Sequence, residues 1–229
     1  MPTEPSAEDP EARGVRLTPV LLVLTVVSGL IDAVSYLGLG HVFTANMTGN
    51  VVILGFAAAG APGFSVPHSA TSLAFFLAGA TTGGRIIRGT GAGSRRTWTR
   101  VTLATETVLL AAAATVAHVT AEDGRLHVYA VIALTAFAMG LRNATVQKLA
   151  VPALTTTTVV TMTLTGLASD SHAAGGSGER SRRRTASVAA MFAGAVLGAA
   201  LVLHHGIAAP LLLAAAMSGV LAVLASGRD

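Results

Sequence analysis

Two acidic residues, Asp32 and Glu106, lie inside long apolar stretches of this sequence. If these stretches are membrane helices, Asp32 is about 12 Å from the helix end at Gly40, and Glu106 is about 10 Å from the helix start at Thr99. A carboxylate at this depth costs about 2.5–3.5 kcal/mol, so it normally faces a cavity or a partner. Asp32 is therefore a candidate site for a proton, a cation or a substrate. Alternatively, it forms an ion pair or caps the broken backbone next to it.

A second set of polar residues follows in the segment that begins at His41. Asn46 and Asn50 are four residues apart and share a face if a helix has begun there, with Thr48 between them. Asn46 can cap the start of that helix, whose positive end favours anions. We therefore favour a binding site for Asn46, Thr48 and Asn50. His41 stands at a helix break, where a hydrogen-bonding hinge is a more common role than a ligand.

Arg142 and Asn143 end a later apolar stretch and form the third group of candidates. Arg142 can pair with Asp32 or bind an anion, but its position favours a cytoplasmic anchor whose long side chain reaches the membrane surface. Glu106 can pair with Arg142 or with Arg85, or it can act as a proton relay. The sequence alone does not separate these roles.

Thr155 and Thr156 open a threonine-rich stretch in the second half of the chain and complete the candidate set. Their hydroxyl groups can bind a substrate. They can also bond to carbonyl groups of their own helix, which is common in membrane helices. We favour this second role for the threonine run.

The residues needed for most catalytic chemistry are missing. The chain contains no cysteine, which excludes disulfides and thiolate sites. It contains no nucleophile–base pair, zinc motif or nucleotide loop. His204 and His205 are neighbours in a turn and make a poor metal site. We therefore predict that the protein is not an enzyme and uses no metal or cofactor.

The composition indicates a membrane protein. Of the 229 residues, 52% are hydrophobic and only 11% are charged, whereas soluble domains contain about 25% charged residues. This excludes a disordered chain, a nucleic-acid-binding domain and a typical cytosolic enzyme. The lipid bilayer is therefore the expected partner, and nucleic acid is not.

Six apolar runs are long enough to cross a membrane, which needs about 20 residues. They cover residues 18–38, 70–87, 99–120, 126–146, 186–204 and 207–225. Two further stretches, 41–60 and 152–169, begin with polar or helix-breaking residues. We interpret each as an extended segment that leads into a re-entrant half-helix, because irregular backbone at membrane depth is tolerated when it is buried in protein. The alternative is that both are polar full spans.

The chain contains a weak internal repeat. Gly-Leu-Ile-Asp-Ala at 29–33 aligns with Gly-Leu-Arg-Asn-Ala at 140–144, an offset of 111 residues. Ala-Gly-Ala-x-x-Gly at 78–83 aligns with the same pattern at 193–198, an offset of 115. The paired glycines of the second pattern allow close helix packing, either between the halves or in a homodimer.

Basic residues indicate the orientation of the two halves. Arginines cluster at 85–100 and at 180–184, and such loops are usually cytoplasmic. Both clusters can face the cytoplasm only if the two polar stretches re-enter, which gives six crossings and two cytoplasmic termini. The prediction is an all-α membrane bundle with a disordered tail at 1–17 and two inverted repeats at 18–120 and 126–226, an arrangement found in many transporters.

Three stretches resemble the YoaK-like family of bacterial multi-span inner-membrane proteins. They are Gly-Leu-Ile-Asp-Ala-Val-Ser-Tyr-Leu-Gly-Leu-Gly-His-Val-Phe-Thr-Ala-Asn-Met-Thr-Gly-Asn at 29–50, Gly-Leu-Arg-Asn-Ala-Thr at 140–145 and the threonine-rich 155–166. The resemblance covers nearly the whole chain after the tail. It implies a multi-span protein of a family without a known function, sometimes described as small-molecule permeases.

The leading hypothesis is a permease for a small molecule or an ion, with a midplane site formed by the broken helices and Asp32. A passive channel built from the same halves is the first alternative. A non-catalytic membrane assembly or partner protein is the second, although the short loops offer little surface for a partner.

Overall fold

The computed structural model of the protein describes residues 17–89, 95–119, 124–149, 158–171, 174–176 and 181–224. The predicted disordered tail lies outside these residues, except for Leu17, where the first helix begins. The candidates Thr155 and Thr156 also lie outside them.

The described residues form eight α-helices and no strand. In chain order they are α1 (Leu17–Gly38), α2 (Met47–Ala58), α3 (Val66–Gly89), α4 (Arg95–Val119), α5 (Gly124–Leu149), α6 (Thr158–Ser169), α7 (Ser181–His205) and α8 (Ala208–Leu224). The six long helices match the six predicted spans. This architecture confirms the predicted all-α membrane bundle.

Helix length separates the spans from the half-helices. Four stretches are long and apolar enough to cross a membrane: Pro19–Gly38, Thr97–Val119, Leu126–Lys148 and Ser181–His205. α3 has 24 residues but is less apolar, and the described part of α8 has 17 residues. α2 has 12 residues, about 18 Å of helix, which is too short for a core of about 30 Å. The described part of α6 also has 12 residues.

Two buried apolar clusters show that α1 and α5 run in opposite directions. Val20 and Leu21, near the start of α1, share a cluster with Val146, near the end of α5. Leu39, just after α1, belongs to the other cluster together with Val131, near the start of α5. The first helices of the two halves are therefore antiparallel, and the repeat is inverted.

The last helices of the two halves, α4 and α8, are also antiparallel. Leu103, early in α4, clusters with Leu221, late in α8. Leu110, further along α4, clusters with Leu211, early in α8. Because α4 and α8 occupy equivalent places in the repeat, this packing also follows from two halves that are related by inversion.

Glycines form the seams between the halves, and the same seam occurs twice. Gly194 of α7 packs directly on the backbone of Val26 in α1, and Gly198 packs on Leu30. Gly79 of α3 packs in the same way on Phe137 of α5, and Gly83 packs on Leu141. The glycines of the two seams are 115 residues apart in sequence, and the residues on which they pack are 111 residues apart. The two seams are therefore equivalent under the internal repeat, and their glycines join the two halves of one chain. The prediction of a homodimer loses this support.

The helix directions bring both groups of basic residues to one end of the bundle. In each seam the later glycine contacts the later residue of the facing helix. α1 and α7 are therefore parallel, and so are α3 and α5. The first residues of α1, α4 and α7 therefore lie at the same end of the bundle as the last residues of α3, α5 and α8. We call this the basic end, because it holds the arginines that flank the α3–α4 and α6–α7 connections.

The outer surface of the bundle is suited to lipid. On α7, the side chains of Phe192 and Leu203 are 71% and 73% exposed. Large apolar side chains exposed along a helix of this length would be unfavourable in water but face acyl chains favourably in a bilayer.

Candidate functional site

A buried ion pair joins α4 and α5. Nη1 of Arg142 lies 3.1 Å from Oε1 of Glu106, and the two side chains are 2% and 0% exposed. The hydroxyl of Ser218 on α8 donates a hydrogen bond of 2.8 Å to the same oxygen. The prediction that Arg142 is a membrane-surface anchor is therefore wrong. Of the two partners considered for Glu106, the structure selects Arg142.

The other terminal nitrogen of the Arg142 guanidinium group, Nη2, contacts the first half of the chain. It donates to the hydroxyl of Ser28 on α1 at 2.8 Å and lies 2.8 Å from the sulfur of Met139. Ser28 and Met139 are 111 residues apart and are thus equivalent positions of the repeat. Glu106 and Ser218 are nearly equivalent, 112 residues apart. Arg142 therefore contacts both halves of the chain at equivalent positions of the repeat.

Asp32 lies about one turn further along α1 from Ser28 and is only 6% exposed. Its Oδ1 accepts a hydrogen bond of 3.1 Å from the backbone N–H of Ala45. One oxygen of Asp32 thus caps the broken backbone ahead of α2, as one of the two sequence hypotheses proposed.

Three buried oxygens in this region have no hydrogen-bond partner among the described residues. They are Oδ2 of Asp32, Oε2 of Glu106 and the hydroxyl oxygen of Thr44. Thr44 directly precedes Ala45, the residue that donates to Asp32. Because nearly all buried polar atoms in proteins are hydrogen-bonded, such atoms indicate a place where a proton, an ion or a substrate group binds.

Asn50 holds the broken segment in place rather than facing a ligand. Its Oδ1 accepts from the N–H of Phe43 at 2.9 Å, and its Nδ2 donates to the carbonyl of Phe43 and to the hydroxyl of Ser72 on α3. The same hydroxyl of Ser72 donates to the carbonyl of Phe43 at 2.6 Å. The side-chain amide of Asn50 thus bonds to both the N–H and the C=O of Phe43. These backbone groups lie outside the helices and would otherwise lack hydrogen-bond partners.

Asn46, Thr48 and Asn50 lie in three different environments. Asn46 occupies the N-cap position of α2, but its side chain makes no capping hydrogen bond. Thr48 is exposed, whereas Asn50 is fully buried.

His41 is a turn residue. It has a φ of 58°, directly after Gly40 with a φ of 85°. A positive φ is uncommon outside glycine, so the two residues form the sharp turn that ends α1. The exposed imidazole packs edge-on against Tyr36 with ring centroids 5.1 Å apart, whereas the sequence predicted a hydrogen-bonding hinge.

The structure brings together Asp32, Glu106 and Arg142 and leaves other candidates aside. Asn143, next to Arg142, is half-buried. Sequence reasoning missed the serines that complete the site, Ser28 and Ser218. The only signal for each was a lone hydroxyl within an apolar run, which is too common in membrane helices to identify a site.

The inverted repeat, the half-helices and the buried charges define a multi-span integral membrane protein. The family described as "Protein of unknown function (DUF1275)" matches residues 20–224, and the chain belongs to this family. It is also 34% identical over 154 residues to the "UPF0700 transmembrane protein YoaK" of Bacillus subtilis (strain 168). These findings confirm the resemblance seen in the sequence.

The match with the Bacillus subtilis protein covers 66% of this chain and 65% of that protein. The chain thus spans just under two thirds of the length of that relative. No solved structure matches the chain.

Proposed function

We propose that the protein is a permease that moves a small molecule or an ion across the bacterial cytoplasmic membrane. One observation carries this proposal: three charged side chains are buried where the inverted halves meet, and two of their carboxylate oxygens have no hydrogen-bond partner among the described residues. Charges inside a membrane are expensive and are usually kept for function.

The surroundings of these charges support a carrier. Secondary transporters commonly combine inverted repeats with broken helices near the midplane, where they bind their substrates. Here the broken segment before α2 contacts Asp32 through backbone N–H groups. A passive channel remains the second candidate, because the same polar groups would line a pore if the halves separated.

We further propose that the basic end faces the cytoplasm, which places both ends of the described chain there. The support is the positive-inside rule, because the opposite end has few basic residues. The experiment uses single cysteines at Gly89, Ala174 and His205, which need no prior removal of native cysteine. An impermeant thiol reagent added to intact cells should label only H205C. Labelling of G89C or A174C from outside would contradict this orientation.

Flux measurements test the transport function itself. The full chain is reconstituted in liposomes with an entrapped pH-sensitive dye, and glycerol, urea, sodium chloride and ammonium chloride are tested by osmotic swelling. Cells that lack the gene and carry either wild type or Asp32→Asn are compared for growth on a panel of nutrients and toxic solutes. We expect wild-type activity in at least one assay, loss in Asp32→Asn, and no loss in Asp170→Asn, a matched change at an exposed acid.

The form of the flux separates the two candidate functions. A rate that saturates with solute concentration indicates a carrier, whereas a fast and linear rate indicates a channel. If the liposomes show no flux and Asp32→Asn leaves every growth phenotype unchanged, transport is the wrong function.

A further inference from the structure

The buried charges at the centre of the bundle do not balance. Among the side chains that the structure describes, the buried ionisable ones are Asp32, Glu106 and Arg142. Arg142 contacts Glu106 directly, at 3.1 Å, and the two charges compensate each other. With all three groups ionised, one negative charge is left over, and it belongs to Asp32.

The protein compensates this excess charge only in part. The backbone N–H of Ala45, two residues before α2, is bonded to Oδ1 of Asp32. The positive end of a helix amounts to about half a charge. The other oxygen, Oδ2, has no hydrogen bond from any described residue, and neither does the buried hydroxyl of Thr44, the residue that precedes Ala45.

Among the residues that the structure describes, no other charged side chain is placed to complete the balance. On α3, His68 packs against Tyr129 of α5 near the turn at Gly40, and Tyr36 packs against His41 and Phe43. The described stretches of α2 and α8 contain no ionisable residue. The remaining ionisable residues of α3, α4, α5 and α7 stand towards the helix ends: Arg85, Arg88, Arg95, Arg96, Arg100, His118, Arg125, His127, Lys148, Arg182, Arg183, Arg184, His204 and His205.

We propose that the free oxygen of Asp32, together with the hydroxyl of Thr44, binds one monovalent cation, either a proton or a sodium ion. This ion is the one whose gradient drives the proposed transport. Only the statement that this ion drives transport rests on the proposed function; the cation site itself does not. Carboxylate and hydroxyl oxygens suit a hard cation, and a proton taken from the water phase forms an O–H bond on Oδ2.

The position of Asp32 links the bound cation to the moving part of the molecule. The same carboxylate holds the segment before α2 through Ala45. When the cation binds, the carboxylate loses net negative charge and holds these N–H groups less strongly. When the cation leaves, the full charge returns and the segment is held again. Occupancy of the site therefore controls how firmly the broken segment is attached to α1.

Infrared spectroscopy of the purified full chain tests the proton form of this proposal. A bound proton produces the C=O stretching band of a neutral carboxyl group at neutral pH, and this band should disappear at high pH. It should be lost in Asp32→Asn and retained in Asp170→Asn. Glu106→Gln leaves Arg142 as the countercharge of Asp32, so the band should still be present at low pH but disappear at a lower pH than in the wild type.

Thermal unfolding tests the sodium form. Sodium chloride should raise the unfolding midpoint by several degrees over choline chloride of equal ionic strength, and Asp32→Asn should abolish the difference. Thr44→Val keeps the shape of the side chain and removes one ligand, so it should weaken sodium binding about tenfold. If Asp32→Asn does not fold, Thr44→Val supplies the comparison in the unfolding experiment. In the infrared experiment it should shift the carboxyl band, because the protonated carboxyl group loses the hydroxyl of Thr44 as a neighbour.

Each outcome has a defined meaning. A carboxyl band identifies the proton, and a sodium-specific shift identifies sodium. If neither is found between acid and alkaline pH, Asp32 is a permanently ionised cap and the proposal is wrong, even if the liposomes transport a solute. If the cation binds but no assay detects transport, the proposed function fails while the cation site stands.

Discussion

At the scale of single residues, the pairing of Arg142 with Glu106 is the feature that the sequence could not decide. The apolar run was predicted to end at residue 146, which placed Arg142 close to the membrane surface. In the structure α5 continues to Leu149, so Arg142 lies about 10 Å from the helix end. There it cannot reach water easily, and it bonds to Glu106, Ser28 and Met139 instead.

This burial predicts a large loss of stability when one partner is removed. Arg142→Met leaves the carboxylate of Glu106 buried without its countercharge, which costs about 3–5 kcal/mol. The double variant Arg142→Met with Glu106→Leu removes both charges and should recover most of this loss. The measurement is the unfolding midpoint in detergent. A double variant no more stable than Arg142→Met would show that the two charges do not compensate each other.

At the scale of elements, the short helix α2 depends on tertiary contacts. Its 12 residues are too few to be stable alone, and its own N-cap side chain makes no capping bond. The chain ahead of it is held by Asp32 from α1 and by Ser72 from α3, and Asn50 folds back on Phe43. The re-entrant segment is thus an element whose structure is imposed by its neighbours.

Removal of the Asn50 side chain tests this dependence. Asn50→Ala leaves the N–H of Phe43 without its partner, and an unsatisfied buried group costs about 1–3 kcal/mol. Ser72→Ala should cost less, because Nδ2 of Asn50 still reaches the carbonyl of Phe43. Thr48→Ala is the control at an exposed position of α2 and should change stability by no more than about 0.5 kcal/mol. Equal losses for Asn50→Ala and Thr48→Ala in thermal unfolding would contradict this role.

The elements also show where sequence reasoning succeeded. Apolar runs and their lengths determine which segments cross a bilayer, so the six long helices and both short ones were predictable. The roles of Asn46 and Asn50 were not, because they depend on where α2 begins. That start is set by Asp32, which binds the N–H of Ala45 across 13 residues of sequence, and local patterns carry no information about such contacts.

At the scale of the whole molecule, the two halves are joined by paired seams. α7 of the second half packs on α1 of the first, and α3 of the first half packs on α5 of the second. In each seam a glycine lets two backbones touch where a larger residue would separate them. The weak sequence repeat was informative because these glycines are the positions that the packing requires. In the proposed carrier, these seams are the surfaces along which the halves would move.

The symmetry of the seams makes a quantitative prediction. Gly79→Ala and Gly194→Ala place a methyl group against the backbone of Phe137 and of Val26 respectively, and overpacking of this kind costs about 1–3 kcal/mol. Because the two contacts are equivalent, the two losses in unfolding free energy should agree within about 0.5 kcal/mol.

Gly55→Ala provides the control for this pair. It lies in α2 with open space around its Cα, and the same change there should stabilise the protein by up to about 1 kcal/mol through helix propensity. If Gly79→Ala destabilises the protein and Gly194→Ala does not, the two seams are not equivalent. The halves would then share a sequence pattern and a fold but not the mechanical symmetry that an alternating carrier requires.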